Sequence, residues 1–175
     1  MKKVRKYCAL ILHYRTWEQT KKGCDSILKL SNDIQVVIVD NASNDGSGEK
    51  LRELYENARN VDVIILKESE GFSYGNNYGY RYIKRNYDIE FLFVVNNDVV
   101  IYQQDFCDKV DEIYTKTEFG ILGPDIYVPR KRTHQNPQRL LKMNLSDAVK
   151  EYNRLLEVKW RQENGGGGTK KMCIG

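Results

Sequence analysis

Four apolar runs of strand length occupy the first part of the chain. They are rich in Val, Ile, Leu and aromatic residues and lie at residues 7–13, 34–40, 61–66 and 89–95. Within each run the apolar residues follow one another instead of alternating with polar ones, which is typical of strands buried on both faces. The pattern therefore predicts a mainly parallel sheet that is covered on both sides.

Apolar residues recur at helical spacing between and after these runs. The four predicted helices carry Trp17, Cys24, Ile27 and Leu28; Leu51, Leu54, Tyr55 and Ala58; Tyr74, Tyr78 and Tyr82; and Phe106, Val110, Ile113 and Tyr114. Thr16 and Gln19 match a capping box at the start of the first helix. The stripe of Tyr74, Tyr78 and Tyr82 is expected to pack in the core. The alternation of strands and helices predicts an α/β fold, a three-layer α/β/α sandwich.

The pattern becomes looser towards the end of the chain. Residues 120–127 predict a short strand that leaves the sheet, and residues 145–160 carry apolar positions at helical spacing. Residues 165–168 are consecutive glycines, which form a flexible break.

Composition and charge exclude several classes of protein. The 175 residues are 41% hydrophobic and 30% charged, with a net charge of +4, which is ordinary for a soluble globular protein. Basic runs such as residues 129–132 are typical of a solvated face, and the stripe of basic and base-stacking residues found in nucleic-acid-binding proteins is not evident. No apolar run approaches the ~20 residues of a membrane span. We expect a cytoplasmic protein whose basic surface is compatible with peripheral association at the inner face of a membrane.

The four cysteines, Cys8, Cys24, Cys107 and Cys173, are far apart in the sequence. They form neither a Cys-x-x-Cys motif nor a paired framework, which favours reduced thiols in a cytosolic protein. We expect them to be small core residues.

Polar side chains follow the second predicted strand, where Asp40 is succeeded by Asn41, Ser43 and Asp45. In open α/β sheets, ligands bind beyond the carboxyl ends of the strands. These groups can accept hydrogen bonds from the imide or the ribose hydroxyls of a nucleotide. The same residue types also form ordinary turns and helix caps, so this segment alone leaves both interpretations open.

A second polar cluster, Asn96, Asn97 and Asp98, follows the fourth predicted strand. Carboxylate and amide oxygens are hard ligands, of the kind that hold Mg²⁺ or Mn²⁺ together with substrate phosphates. A polar turn after a buried strand is the alternative interpretation.

Two further segments point to the same edge of the sheet. Gly71 and Gly75 allow close backbone approach at the start of a helix, whose free N–H groups attract anions. At the end of the first strand, Tyr14 could stack on a base and Arg15 could reach a phosphate, whereas a lone His13 in such a place is more often structural. The absence of a Walker loop and of a Gly-x-Gly-x-x-Gly motif weighs against an ATPase and a dehydrogenase.

Together these segments resemble family 2 glycosyltransferases with the GT-A fold, especially rhamnosyltransferase-like and polysaccharide-biosynthesis members. The resemblance covers residues 7–127 and rests on residues 11–14, 37–47, 71–79 and 95–98. It implies a nucleoside-diphosphate sugar donor and a divalent metal, Mg²⁺ or Mn²⁺. The site residues that follow from it and from the segments above are Tyr14, Asp40, Asn41, Ser43, Asn76 and Asn97 for the sugar nucleotide and Asp98 for the metal.

The chain departs from the family pattern in two respects. Its metal element contains a single carboxylate, and members of the family normally continue through a Gly-rich strand and an acidic segment that supplies the base. We therefore expect residues 1–127 to form the nucleotide-sugar-binding domain and residues 128–175 to be a partial acceptor-side extension of a truncated chain. No catalytic base is assigned.

The leading hypothesis is an inverting transfer of a sugar to the hydroxyl of a carbohydrate or lipid-linked acceptor in bacterial cell-surface polysaccharide synthesis. A catalytically incomplete sugar-nucleotide-binding module or remnant is the first alternative. The second alternative is a nucleotidyltransferase, against which Thr16, Trp17 and Glu18 stand where a Gly-rich phosphate loop should follow the first strand.

Overall fold

The computed structural model of the protein describes residues 2–134. They belong to two compact units, and the boundary in the sequence falls between Glu118 and Phe119. The first unit contains, in order, β1 (Lys3–His13), α1 (Trp17–Ile27), β2 (Ile34–Asp40), α2 (Ser47–Leu54), β3 (Val61–Ile65), α3 (Phe72–Asn86), β4 (Tyr87–Asn96) and α4 (Phe106–Lys116). In the second unit, β5 (Tyr127–Val128) and β6 (Thr133–His134) form an antiparallel pair.

The first unit is built on a parallel sheet with the strand order β3-β2-β1-β4. The register pairs His13 of β1 with Asp40 of β2 and Leu12 with Asn96 of β4. The carboxyl ends of three strands therefore lie side by side at one edge, where ligands bind in sheets of this kind.

Helices cover both faces of this sheet. The side chain of His13 contacts Thr20 of α1 and Ser47 of α2. Leu12, the preceding residue on β1, lies under Gly75 of α3. Since successive side chains of a strand point to opposite faces, α1 and α2 lie on one face and α3 on the other. The predicted three-layer α/β/α architecture is confirmed.

The core lies between these layers. The fully buried side chains include Leu10, Ile11, Ile27, Ile34, Val36, Val37, Ile38, Val39, Leu51 and Ile83. Cys8, Cys24 and Cys107 are free and buried, as expected, whereas Cys173 lies outside the described residues. Burial raises the pKa of the Cys8 and Cys24 thiols to about 12, so both are inert at neutral pH.

Two predictions about side chains on the helices are wrong. Thr16 precedes α1 but makes no capping bond with its side chain; its hydroxyl accepts a hydrogen bond from Asn97 at 2.7 Å. Tyr74 and Tyr78 are 36% and 40% exposed, since the close approach of α3 to the sheet runs along its glycines. Only Tyr82 of the predicted stripe packs against the core.

Two predictions about strands also need correction. Val94 of β4 is 62% exposed, because β4 is the outermost strand of the sheet within residues 2–134 and α3 packs mainly on β1 and β2. Continuous apolar character in β4 therefore does not mean burial on both faces. The strand expected at residues 120–127 is limited to the pair Tyr127–Val128. The predicted helix at 145–160 and glycine break at 165–168 lie outside the described residues.

Within residues 2–134, no helix combines the length and the apolar composition that crossing a membrane requires.

Candidate active site

A cavity of about 380 Å³ opens at the carboxyl ends of β1, β2 and β4. It is lined by Leu12, Tyr14, Asn41, Phe72, Asn96, Asn97 and Asp98. These residues come from four separate segments, which the parallel sheet and the start of α3 bring together. A volume of this size with a mixed apolar and polar lining is typical of small-molecule sites, which span roughly 300–1,000 Å³.

Two aromatic side chains on the lining of the cavity are exposed. Tyr14 is 46% and Phe72 is 59% accessible. The guanidinium of Arg15 lies 4.8 Å from the centre of the Tyr14 ring, a cation–π contact that steadies the ring. The cavity therefore offers planar apolar surfaces on which a heterocyclic base can stack.

Asn41 supplies a buried polar group to the same cavity. Its backbone N–H donates to the carbonyl of His13 at 2.9 Å, which joins the ends of β1 and β2. The residue is 7% exposed, and its Oδ1 is buried without a hydrogen-bond partner among the described residues. An unpaired buried acceptor costs about 1–3 kcal/mol. Oδ1 lies beside Gly75 of α3, where a Cβ would come within 3.2 Å of it, so a hydrogen-bond donor that reached it from the cavity would remove this cost.

Asp40 lies behind the cavity and is 1% exposed. Its carboxylate faces α2, where a Cβ at Gly48 would come within 2.4 Å of Oδ2. The hydroxyl of Ser43 and its backbone N–H, at 3.3 Å, both donate to Oδ1 of Asp40. The Ser43 oxygen also accepts a hydrogen bond from the N–H of Arg15 at 2.9 Å. Asp40 and Ser43 thus tie the loop after β1 to the loop after β2.

Three residues in these loops have the left-handed backbone conformation that favours glycine. Their φ angles are 64° at Arg15, 55° at Ala42 and 54° at Asn44. Such conformations cost about 1–3 kcal/mol for bulky residues and cluster at functional sites. The bonds that Ser43 makes to Asp40 and Arg15 hold the loops in place despite this cost.

A chain of buried hydrogen bonds runs underneath the cavity. His13 is fully buried; its Nδ1 lies 2.8 Å from the hydroxyl of Thr20, and its Nε2 lies 2.9 Å from the hydroxyl of Ser47. Ser47 donates in turn to Asp45 at 2.5 Å. Hydrogen bonds from the hydroxyl and the N–H of Ser47 hold the pKa of Asp45 below its usual value. Burial lowers the pKa of His13, although the nearby charges of Asp40 and Asp45 oppose this shift.

Comparison with known proteins identifies the family. The profile described as Glycosyl transferase family 2 matches residues 8–172, which is nearly the whole sequence. The chain belongs to glycosyl transferase family 2. No curated protein matches it significantly.

Solved structures show the GT-A fold of this family 2 glycosyltransferase. S. aureus TarS 1-349 is 21% identical, with a TM-score of 0.52 over 63% of this chain and 32% of that one. The mannosyltransferase PcManGT from Pyrobaculum calidifontis, in complex with GDP-Man and Mn²⁺, is 17% identical, with a TM-score of 0.57 over 71% and 36%. TarS 1-349 in complex with UDP-GlcNAc is 18% identical, with a TM-score of 0.53 over 70% and 40%. The chain spans well under half the length of these proteins.

The structure brings together part of the set of site residues expected from the sequence. Four of them line the one cavity: Tyr14, Asn41, Asn97 and Asp98. Asp40 and Ser43 lie behind it, and Asn76 is partly exposed on α3, where its Nδ2 donates to the carbonyl of Phe72 at 3.1 Å. The binding roles of all seven residues stay predictions.

Sequence reasoning did not single out three other residues that line or support the cavity. Phe72 lines the cavity from the start of α3. Its place between Gly71 and Ser73, at a predicted helix start, could have indicated this from the sequence. Leu12 and Thr20 carry no local signal, because Leu12 looks like any strand residue and Thr20 like any polar position on a helix.

The donor set at the end of β4 fits a divalent metal. In the part of the chain that the structure describes, no three Asp, Glu, His or Cys side chains converge to hold a metal by themselves. Asp98 and the amide oxygens of Asn96 and Asn97 are nevertheless hard ligands on the wall of the cavity. Mg²⁺ and Mn²⁺ are commonly held by one or two carboxylates with water and substrate phosphates completing the shell. The residues present therefore suit a metal that arrives with a phosphorylated substrate.

Stability of this glycosyltransferase should fall as the pH is lowered from 7.5 to 5.5. The unfolded chain takes up a proton on His13 near pH 6.5, whereas burial keeps the folded imidazole neutral to lower pH. The unfolded state therefore binds more protons in this range, and the free energy of unfolding should drop by about 1 kcal/mol. Urea titrations at a series of pH values would measure it.

The chain contains one other histidine, which provides the control. His134 is exposed on β6 and its ring contacts Asp125, so His134→Asn leaves the surroundings of His13 unchanged and should keep the pH dependence that His13 causes. His13→Asn removes the titrating ring and should flatten it. Equal slopes for the wild type and His13→Asn would contradict the assignment.

Proposed function

We propose that this family 2 glycosyltransferase transfers a sugar from a nucleoside-diphosphate sugar to an acceptor hydroxyl, with inversion at the anomeric carbon. The proposed acceptor is a carbohydrate or a lipid-linked saccharide in bacterial cell-surface polysaccharide synthesis, and the proposed location is the cytoplasm, at the inner face of the membrane. The observation that carries the proposal is the presence of Tyr14, Asn41 and Asp98 on the wall of one cavity.

The nucleoside would occupy the part of the cavity formed by Tyr14 and Asn41. The exposed ring of Tyr14 offers a stacking face. The buried Oδ1 of Asn41, which has no partner among the described residues, can accept a hydrogen bond from a base or a ribose hydroxyl. Asp40 and Ser43 would act indirectly, by holding both loops in position through their mutual hydrogen bonds.

The diphosphate would lie towards Asp98 and Asn97, which supply hard oxygen ligands for Mg²⁺ or Mn²⁺. Such a metal, when bound, neutralises the charge of a departing nucleoside diphosphate. The structures of PcManGT with GDP-Man and Mn²⁺ and of TarS 1-349 with UDP-GlcNAc support a nucleotide-sugar donor in proteins of this fold.

Inversion requires a single in-line displacement. The acceptor oxygen forms a bond to the anomeric carbon while the bond to the diphosphate breaks, and the acceptor proton passes to a base. Tyr14, Asn41 and Asp98 would contribute by holding the donor in the orientation that this displacement needs.

Titration calorimetry with UDP, GDP and dTDP, with and without Mn²⁺, tests the donor site. We expect one of these nucleotides to bind, and to bind more tightly with Mn²⁺. Asn41→Leu should weaken that binding about tenfold, because the donor of the ligand would be left unpaired against an apolar side chain at a cost of ~1–3 kcal/mol.

Asn86→Leu is the matched control, since Asn86 is exposed at the far end of α3 and its side chain donates to the carbonyl of Tyr82 in the same helix. Failure of the wild type to bind any of the three nucleotides would refute the proposed donor site. Hydrolysis or transfer of the matching nucleotide sugar, followed by product analysis of the anomeric configuration, then tests turnover and inversion.

A further inference from the structure

The hydrogen bonds under the cavity form a single chain with one direction. They link Asn97, on the cavity wall, through Thr20, His13 and Ser47 to Asp45. Thr20 and His13 are fully buried, and Ser47 is 5% exposed. Buried polar groups that are all paired in this way hold one another in a single arrangement.

Asp45 sets the direction of the chain. An ionised carboxylate only accepts hydrogen bonds, so the hydroxyl proton of Ser47 points to Asp45 at 2.5 Å. The oxygen of Ser47 must then accept, and Nε2 of His13 carries the proton of the 2.9 Å contact between them.

The tautomer of His13 determines which atom accepts the hydroxyl proton of Thr20. A neutral imidazole with a proton on Nε2 has a bare Nδ1, which accepts the hydroxyl proton of Thr20 at 2.8 Å. The competing acceptor, the carbonyl of Thr16 at 3.2 Å, already receives the backbone N–H of Thr20 at 3.1 Å. The carbonyl of Thr16 therefore keeps a partner when the hydroxyl of Thr20 donates to His13.

The oxygen of Thr20 is then free to accept from the amide of Asn97. Nδ2 of Asn97 donates to Thr16 at 2.7 Å and, more weakly, lies 3.4 Å from Thr20. Both threonine hydroxyls thus receive the NH₂ group. Oδ1 of Asn97 is the atom left for a ligand beside Asp98 on the cavity wall.

We propose that His13 and Thr20 are positioning residues, which together with Thr16 hold the Asn97 amide with its oxygen available to a metal–diphosphate ligand. The proposal rests on the proposed function, because it assigns a role in the donor site. It requires no contact between His13 and the substrate. It predicts that breaking the chain weakens the part of nucleotide binding that depends on the metal and leaves the rest unchanged.

Thr20→Val tests this prediction, since it removes the hydroxyl and keeps the shape of the side chain. The nucleotide is UDP, GDP or dTDP, whichever binds the wild type. The readout is the ratio of its affinity in Mn²⁺ to its affinity in EDTA. Residues that orient metal ligands typically contribute 10–100-fold to metal affinity. The ratio should therefore fall about tenfold in Thr20→Val, with affinity in EDTA within about twofold of the wild type. Thr20→Ser, which restores the hydroxyl, should recover the ratio.

Thr115→Val on α4 is the control for the change of residue type, because Thr115 is exposed and its hydroxyl donates to a carbonyl of its own helix at 2.9 Å. An unchanged ratio in Thr20→Val would overturn the proposal. Equal losses in Mn²⁺ and EDTA would also overturn it, since they indicate a general structural role.

Two substitutions at His13 keep the proposal testable if Thr20→Val does not fold. Asparagine places its amide near Nδ1 and keeps a partner for Thr20, whereas glutamine reaches towards Nε2 and keeps a partner for Ser47. Each variant loses one buried hydrogen bond, so their stabilities should be similar. The proposal requires the ratio of nucleotide affinity in Mn²⁺ to that in EDTA to stay close to the wild-type value in His13→Asn and to fall about tenfold in His13→Gln. Equal ratios in the two variants would overturn it.

The wild type separates this inference from the proposed function. If the wild type binds none of the three nucleotides, the donor site itself is wrong. If it binds one of them equally well in Mn²⁺ and in EDTA, the donor site stands and the positioning role of His13 and Thr20 is overturned.

Discussion

Asp98→Asn should lower the affinity for a nucleoside diphosphate in Mn²⁺ about 100-fold. Among the described residues that line the cavity, Asp98 is the one carboxylate. Replacing it removes the full negative charge that a divalent cation would meet there, and direct ligands matter at least as much as their supporting residues, which contribute ~10–100-fold. Calorimetry in Mn²⁺ and in EDTA would measure the effect, and the affinity in EDTA should change little.

Asp88→Asn provides the matched control. Asp88 is exposed near the amino end of β4, the strand that Asp98 follows, so the substitution changes the net charge equally without touching the cavity. Loss of affinity in both variants would point to a general effect of charge. Unchanged affinity of Asp98→Asn in Mn²⁺ would remove Asp98 from the proposed metal site.

Gly79→Val should destabilise the first unit by about 3 kcal/mol. A Cβ at Gly79 would lie 2.3 Å from Cδ1 of Leu10 and 2.9 Å from Cγ2 of Val39. Both neighbours are fully buried strand residues, so they have little room to move. Inserting carbon atoms into a packed core costs ~1–3 kcal/mol, and a branched side chain would push α3 off the sheet. Urea unfolding monitored by circular dichroism would give the change in free energy.

The same helix offers a control at Asn77, which is exposed. Asn77→Val introduces the same side chain at this exposed position. Asparagine and valine have similar helix propensities, so the substitution should change the free energy of unfolding by less than about 0.5 kcal/mol. A Gly79→Val protein as stable as the wild type would show that α3 does not pack this closely on β1 and β2.

The sheet could be predicted from the sequence because its strands are continuously apolar. Residues 34–40 were expected to form a strand buried on both faces, and all seven residues of β2 are buried. β2 lies between two other strands and is covered by helices on both faces, so its continuous apolar pattern predicts its burial correctly. The pattern of β4 was misleading, since its outermost place in the part of the sheet that the structure describes depends on strand order, which no local pattern encodes.

The candidate site could be predicted only in outline. Polar residues at strand ends pointed to one edge of the sheet, and four of the expected side chains line one cavity there. Which neighbour faces the ligand could not be predicted. Asp40 and Asn41 are adjacent, yet Asp40 turns towards α2 at Gly48 while Asn41 lines the cavity. This difference depends on the left-handed turn at Ala42 and on the packing of α2.

The hydrogen-bond chain through His13 was likewise beyond sequence reasoning. Hydrogen-bonded members of this network are separated by up to 77 residues in the sequence. They meet because α1 and α2 pack on the same face of the sheet and the end of β4 lies beside them. A buried histidine at a strand end was recognisable as structural, but its partners were not.

The positive φ angle of Ala42 limits how this pocket can be remodelled. A designer who randomises the loop after β2 to alter ligand preference can use glycine, asparagine or aspartate at position 42, since these residues tolerate a φ of 55°. Valine, isoleucine and threonine would rotate the neighbouring amide out of the pocket or unfold the loop. Useful diversity should therefore be introduced at Tyr14 and Phe72, whose exposed side chains can change size without disturbing the backbone.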